Sequence, residues 1–237
     1  MTRPHLPEAR VLAGHFLADL DALPLNYTQP IRALRREYSR RLRSAGADYV
    51  WDVSLALQPE LRRGKPLRAG LRWVGCELIA NHKATFESLD TDRLESLGEG
   101  MQSWDEVDAF ARIVAGPAWL HGLIDEATVH RWARSTDLWW RRTALVATVA
   151  LNMRSQGGHG DPRRTLAVCE LLADDREIMV QKALSWALRE LVPHDAAAVA
   201  GFLDAHEVGL SALTKREVRH MLATGLKNPR RSVASKP

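Results

Sequence analysis

No run of this chain alternates apolar and polar residues convincingly at the two-residue period of a half-buried strand, while nearly every segment repeats its apolar residues at three and four. That contrast confines the chain to packed helices, and the expected fold class is all-α. Residues 7–20 carry Val11, Leu12, Phe16 and Leu17 on one stripe. After a break at 23–26, Thr28 as cap and Pro30 in the first turn open a second helix. Ile31, Leu34, Tyr38 and Leu42 point inward from it, and Arg32, Arg35, Arg36, Arg40, Arg41 and Arg43 form its other face. Helices follow over 48–57, from Pro66 towards residue 81 after the punctuation at 64–66, and over 91–101. Another spans 103–114, where Ser103 and Glu106 make a capping box, before Gly116-Pro117 interrupts. A short amphipathic helix covers 125–134, and Asp137 caps a long one to residue 153. Residues 155–160 read as the most flexible interior stretch. Asp161-Pro162 starts the next helix, Asp174 or Asp175 caps another that ends before Pro193, and 195–206 follows. Thr214 with Glu217 is a second capping box and opens the last helix.

These are about a dozen helices with short joints, and pairs of them recur at roughly the 40-residue interval of HEAT-like arrays. The expected architecture is a superhelical stack of antiparallel helix pairs, an α-solenoid whose one concave face is where such folds bind. A compact irregular bundle is the structural alternative. A single repeat domain over 1–226 and a basic, disordered tail over 227–237 complete the expectation.

Several function classes are excluded early. Cys76 and Cys169 lie far apart within apolar helical patterns and define neither a disulfide framework nor a metal site, so a reducing cytosol is expected. The first residues lack an apolar signal core, and no apolar run is long enough to span a bilayer. The nine histidines are scattered without metal spacing. Gly157-Gly158-His159-Gly160 lies between helices with no strand before it, so it is no phosphate-binding fingerprint. The 33 Lys and Arg exceed the 29 Asp and Glu only moderately, and the placement of the cations matters more than the net charge of +4.

Three clusters set an aromatic beside a charge at helical spacing. Trp104 and Asp108 are four apart and share a face. Trp139, Trp140, Arg141 and Arg142 stand at the front of the long helix, and Lys182, Trp186 and Arg189 share a face further on. Arginine and lysine beside aromatics suit nucleic acid, the cations meeting phosphates and the rings meeting sugars or bases. Ordinary packing accounts for each cluster too. Trp186 on an Ala/Leu helix serves equally as core, and at least one of the adjacent Trp139 and Trp140 should be core. Lys182 and Arg189 can snorkel at a helix edge, and the arginines of 32–43 are by default a solvated face that could equally touch a DNA backbone.

Taken together and in order, Ser-Trp-Asp-Glu-Val-Asp at 103–108, Leu-Trp-Trp-Arg-Arg-Thr-Ala at 138–144, Gln-Lys-Ala-Leu-Ser-Trp-Ala-Leu-Arg-Glu at 181–190 and Leu-Thr-Lys-Arg-Glu at 213–217 resemble the AlkD-type DNA alkylation-repair glycosylases. The resemblance covers roughly residues 65–225 and implies a HEAT-like superhelix. It implies that Asp108 is the catalytic aspartate, that Trp104 and Trp186 flank the sugar of the lesion, and that Arg142 contacts the DNA backbone. Arg141, Lys182 and Arg189 are further candidates for backbone contact. Such enzymes excise cationic N3- and N7-alkylpurines from duplex DNA without metal or organic cofactor and without flipping the base. A monomer, cytoplasmic and associated with the nucleoid, is expected. The sequence departs from the pattern at Ser103, where relatives carry a further tryptophan, and at 26–30, where the usual glycine before the proline is missing. A non-catalytic DNA-binding HEAT scaffold and a protein-binding solenoid are the alternatives. Asp108 separates them, because an anion facing phosphates serves no pure DNA binder.

Overall fold

The structure, a computed structural model, describes residues 6–23, 28–62 and 71–227, and of 59–62 the backbone alone. The expected breaks at 24–26 and 64–66 and the basic tail from 228 onward lie outside the described residues. Among the described residues every regular element is helical and none is a strand, as the periodicity requires. No helix among them is long and apolar enough to cross a membrane. The chain divides into two compact units, Met1–Asp125 and Glu126–Pro237.

The first unit contains α1 (Leu6–Asp21), α2 (Thr28–Arg41), α3 (Ala47–Arg62), α4 (Trp73–Ala80), α5 (Lys83–Glu87), α6 (Thr91–Gly98) and α7 (Trp104–Phe110). A π-helical stretch, Ala111–Ala115, and α8 (Gly116–Leu120) continue directly from α7. Helix α3 packs against both α1 and α4, around Phe16, Tyr38, Val50, Val53, Leu57, Val74 and Leu78. Phe16 meets Tyr38 edge-on at 4.9 Å, and the Tyr38 hydroxyl donates to Asp19 at 2.7 Å. Burial, then the bond to that carboxylate, push the Tyr38 phenol up to about 12.

Four expectations in this unit are corrected. The buried stripe of α1 is Ala9, Ala13, Phe16 and Leu20, and Val11 is exposed, because it sits two residues, over half a turn, away from that line. Helix α3 runs five residues past the expected end at 57. Helix α5 was not expected; His82 caps it by accepting the Thr85 amide at 3.2 Å, a role the ring nitrogen fills without being a usual cap signal. Gly116-Pro117 does not interrupt. Pro117 has no N–H and its ring crowds the carbonyl four residues back, and the π turn relieves this: the Gly116 amide donates to Ala111, five residues back.

The second unit is built from α9 (Glu126–Ala133), α10 (Leu138–Asn152), α11 (Pro162–Leu171), α12 (Ile178–Leu191), α13 (Ala196–Ala205) and α14 (Ala212–Thr224). Helix α12 packs between α10 and α14, while α11 packs against α9 and α13. This gives three helical hairpins in two layers. Helices α10 and α12 begin 40 residues apart and α12 and α14 begin 34 apart, near the interval the sequence suggested. From Arg142 to Asn152 every residue of α10 is buried, as suits a helix covered all round.

The caps at Asp137 and Asp161 form as expected and Asp195 caps α13 as well, each carboxylate accepting a first-turn amide at 2.8–2.9 Å. Burial disfavours the Asp161 anion, but the Arg164 amide and guanidinium outweigh it and hold the carboxyl below its usual range. Two caps differ. Ser211, not Thr214, caps α14, accepting the Thr214 amide at 3.1 Å. The residue before α12 is Glu177, whose side chain makes no cap bond; Asp175 accepts the Glu177 amide one step earlier at 2.8 Å.

The loop over 155–160 is tied down rather than loose. The Gly158 amide donates to Met153 at 3.0 Å and the Gly160 amide to Leu151 at 3.1 Å. A Cβ on buried Gly158 would stand 2.2 Å from the Ala150 carbonyl oxygen. Gly158→Ala should therefore destabilise the protein by about 3 kcal/mol, the upper end of ordinary overpacking, because backbone and not a side-chain tip must move. Urea unfolding checks this, and an unchanged midpoint would show that the loop lifts away freely.

Candidate active site

Helix α7 is set by what its buried face holds. Ser103 is extended (φ −146°, ψ 157°) and caps the helix without a side-chain bond. Only half of the expected box forms, displaced by one residue: Glu106 folds back and accepts the Gln102 amide at 2.8 Å. Its second oxygen lies 3.9 Å from the Arg72 guanidinium, and both side chains are buried. Arg72 also donates to the Leu97 carbonyl and, at 3.0 Å, to the Glu99 carbonyl, so one arginine ties the start of α7 to the end of α6. Val107, Phe110 and Val114 point into the core.

Trp104 and Asp108 occupy the opposite stripe. Trp104 is 55% exposed, while Asp108 is half-buried. Exposure of an indole on a helix anchored this firmly is unusual, since large aromatics dominate cores and interfaces. The pair presents a π face and a carboxylate to the same side of one rigid element, which suits a cation.

The other residues singled out from the sequence belong to the second unit. Lys182, Trp186 and Arg189 form the least buried stripe of α12, as their spacing implied. Trp186 is half-buried rather than core, and its Nε1–H donates to Glu190 at 2.8 Å. Glu190 is buried and also accepts from Lys227, so the indole's polar edge is fixed while part of the ring stays accessible. Sequence inspection passed over Glu190, although Trp186 and Glu190 stand four apart on one helix. Neither Trp139 nor Trp140 is fully buried, contrary to expectation; Trp140 leans on buried Trp132 with centroids 5.3 Å apart.

Three arginines expected at phosphates are engaged inside the fold. Arg142 is 5% exposed and donates to the Met179 carbonyl, joining α10 to α12. Arg141 reaches Asp175 at 2.7 Å and the carbonyls of Ser135 and Thr136, both at 3.0 Å. Arg189 lies 3.2 Å from Glu217 of α14, and Ser185 donates to the same carboxylate at 2.6 Å. Lys182 is exposed. Cys76 and Cys169 are free and buried, and burial raises both thiols, Cys76 to about 12, so neither is a thiolate nucleophile near neutral pH. Among the described residues no three His, Cys, Asp or Glu side chains group as metal ligands.

A family model described as DNA alkylation repair enzyme matches residues 69–222. That is well over half of the chain, and the chain belongs to this family. Its role is accordingly in DNA alkylation repair, with DNA as its partner. The matched segment includes α7, α10 and α12 with Trp104, Asp108, Arg141, Arg142, Lys182, Trp186 and Arg189, and leaves α1, α2 and α3 outside. No curated protein and no solved structure is similar enough to the chain to count as a match.

Proposed function

We propose that this protein is a monofunctional DNA glycosylase that hydrolyses the N-glycosidic bond of cationic N3- and N7-alkylated purines in duplex DNA. The observation that carries this is the solvent-facing Trp104–Asp108 stripe on a helix whose other face is locked in the core. An alkylated purine already bears positive charge. When its bond to C1′ breaks, the electron pair leaves with the base, which departs neutral and needs no general acid. Positive charge then develops on the sugar, and a fixed carboxylate at Asp108 stabilises it. Water adds at C1′, and its proton passes to Asp108 or to solvent, leaving an abasic site. The faces of Trp104 and Trp186 attract the cationic lesion and sugar, by roughly 0.5–2 kcal/mol each. Nothing in this chemistry requires the base to leave the stack, and no cofactor is called for.

Lys182 is the site cation best placed to meet a phosphate, because its ammonium is in solvent. Arg141, Arg142 and Arg189 serve such contacts through the helices they hold in register. A non-catalytic scaffold would have no use for Asp108, whose charge repels the DNA backbone.

Incubation with methylated duplex DNA tests the proposal. Free 3-methyladenine or 7-methylguanine should appear by chromatography, leaving alkali-labile but otherwise intact strands. Binding without release of any base would identify a scaffold and overturn the proposal.

A further inference from the structure

Helix α2 lies outside the segment matched by the family model, yet it carries the densest run of arginine in the chain. It forms one wall of an open groove of about 730 Å³, with Lys83 on the other side. The arginines of this helix and of the turn just past it differ in what they meet, and Arg32 lies over the Trp73 ring at 5.7 Å. Arg35 is held by Glu77 at 2.6 Å and Arg41 by Glu37, so both are internally neutralised. Arg36, Arg40 and Arg43 are exposed, line the groove, and pair with no carboxylate among the described residues. Lys83 is 86% exposed and lies 3.7 Å from Glu87, a loose surface pair.

We propose that this groove is a second DNA site, taking the sugar–phosphate backbone of the duplex away from the lesion. It rests on the DNA-binding part of the function proposed above, and does not depend on base excision. A merely solvated basic face would stand on an open helix surface. Here Arg36, Arg40, Arg43 and Lys83 line one concave volume with Glu87 as the single carboxylate on its walls, an excess of positive charge that a further anion would relieve. The chemistry fits phosphate: arginine offers paired N–H donors, and the Ser39 hydroxyl lines the same wall. The volume is too large for one phosphate, and the cations on its walls give a small apolar ligand no advantage there. Arg36 and Arg40 stand four residues apart on α2, about 6 Å of helix, and Arg43 follows in the turn past its end. Two phosphate steps of one DNA strand, at about 3.4 Å each, cover the same axial distance.

The triple variant Arg36→Gln/Arg40→Gln/Arg43→Gln tests this on undamaged duplex DNA of about two turns, with affinity measured across a salt series. All three side chains are exposed, and an unchanged melting temperature confirms that the variant folds. Loss of two or three phosphate contacts should flatten the slope of log K against log salt by about 2–3 and weaken binding at least tenfold near 0.1 M salt. The corresponding triple lysine variant should restore most of the slope. A glutamine variant with the wild-type slope overturns the proposal, and so does failure of lysine to restore it. The outcome is separate from that of base release: a protein that frees no base but loses its slope keeps the groove, while one that frees base with its slope unchanged loses it.

Discussion

Asp108→Asn should lower the release of methylated purines by about a thousandfold or more, while DNA affinity stays equal or rises. Asparagine keeps the size and one oxygen of the side chain but removes the negative charge that the developing cation on the sugar requires. Single preorganised groups facing transition-state charge are worth about a hundred- to a thousandfold, and a full charge at a half-exposed position belongs at the top of that range. The same change removes an anion that opposes the DNA phosphates, so binding has no reason to suffer. Single-turnover base release measured alongside fluorescence anisotropy separates the two effects. Wild-type release by the variant would remove Asp108 from the mechanism; parallel loss of release and binding would point to a damaged fold.

Arg72→Met should cost about 3–5 kcal/mol of stability, the range seen when one partner of a buried ion pair is removed. Arg72 is 2% exposed and Glu106 is 5% exposed, so the carboxylate left behind cannot recover its hydration. The carbonyls of Leu97 and Glu99 lose their guanidinium donor at the same time. A double variant that also carries Glu106→Gln should recover part of the loss, because no uncompensated buried charge then remains. Urea unfolding of the single and double variants measures both numbers. A loss below about 1 kcal/mol for the single variant would mean that α7 is anchored by its apolar face alone.

What could be read from the sequence was mostly local. Asp137 and Asp161 were recognisable as caps because each bonds an amide two or three residues away. Glu106, Glu217 and Asp175 were misplaced or only half right because tertiary partners compete for them: Arg72, the Ser185–Arg189 pair and Arg141 respectively. The all-helical class and the recurring hairpins of the second unit followed from apolar periodicity, a signal that survives averaging over whole helices. The Trp104–Asp108 stripe was visible for the same reason. Arginine fates were not visible. Arg141 and Arg142 are adjacent to tryptophans, which suggested nucleic acid, yet their guanidinium groups end on Asp175 and on the Met179 carbonyl. Nothing within a few residues reveals whether so long a side chain turns inward or outward. His82 and Pro117 misled because each does something rare for its type, one capping a helix and the other sitting inside a helical run.

The widened turn after α7 has a consequence for how the exposed pair is held. By absorbing one surplus residue it lets the helical run pass Pro117 unbroken and reach Trp119, which is anchored beyond it at 2% exposure. The azimuth of Trp104 and Asp108 is thereby set from both ends, by Arg72 and Glu106 where the run begins and by an immersed indole where it closes.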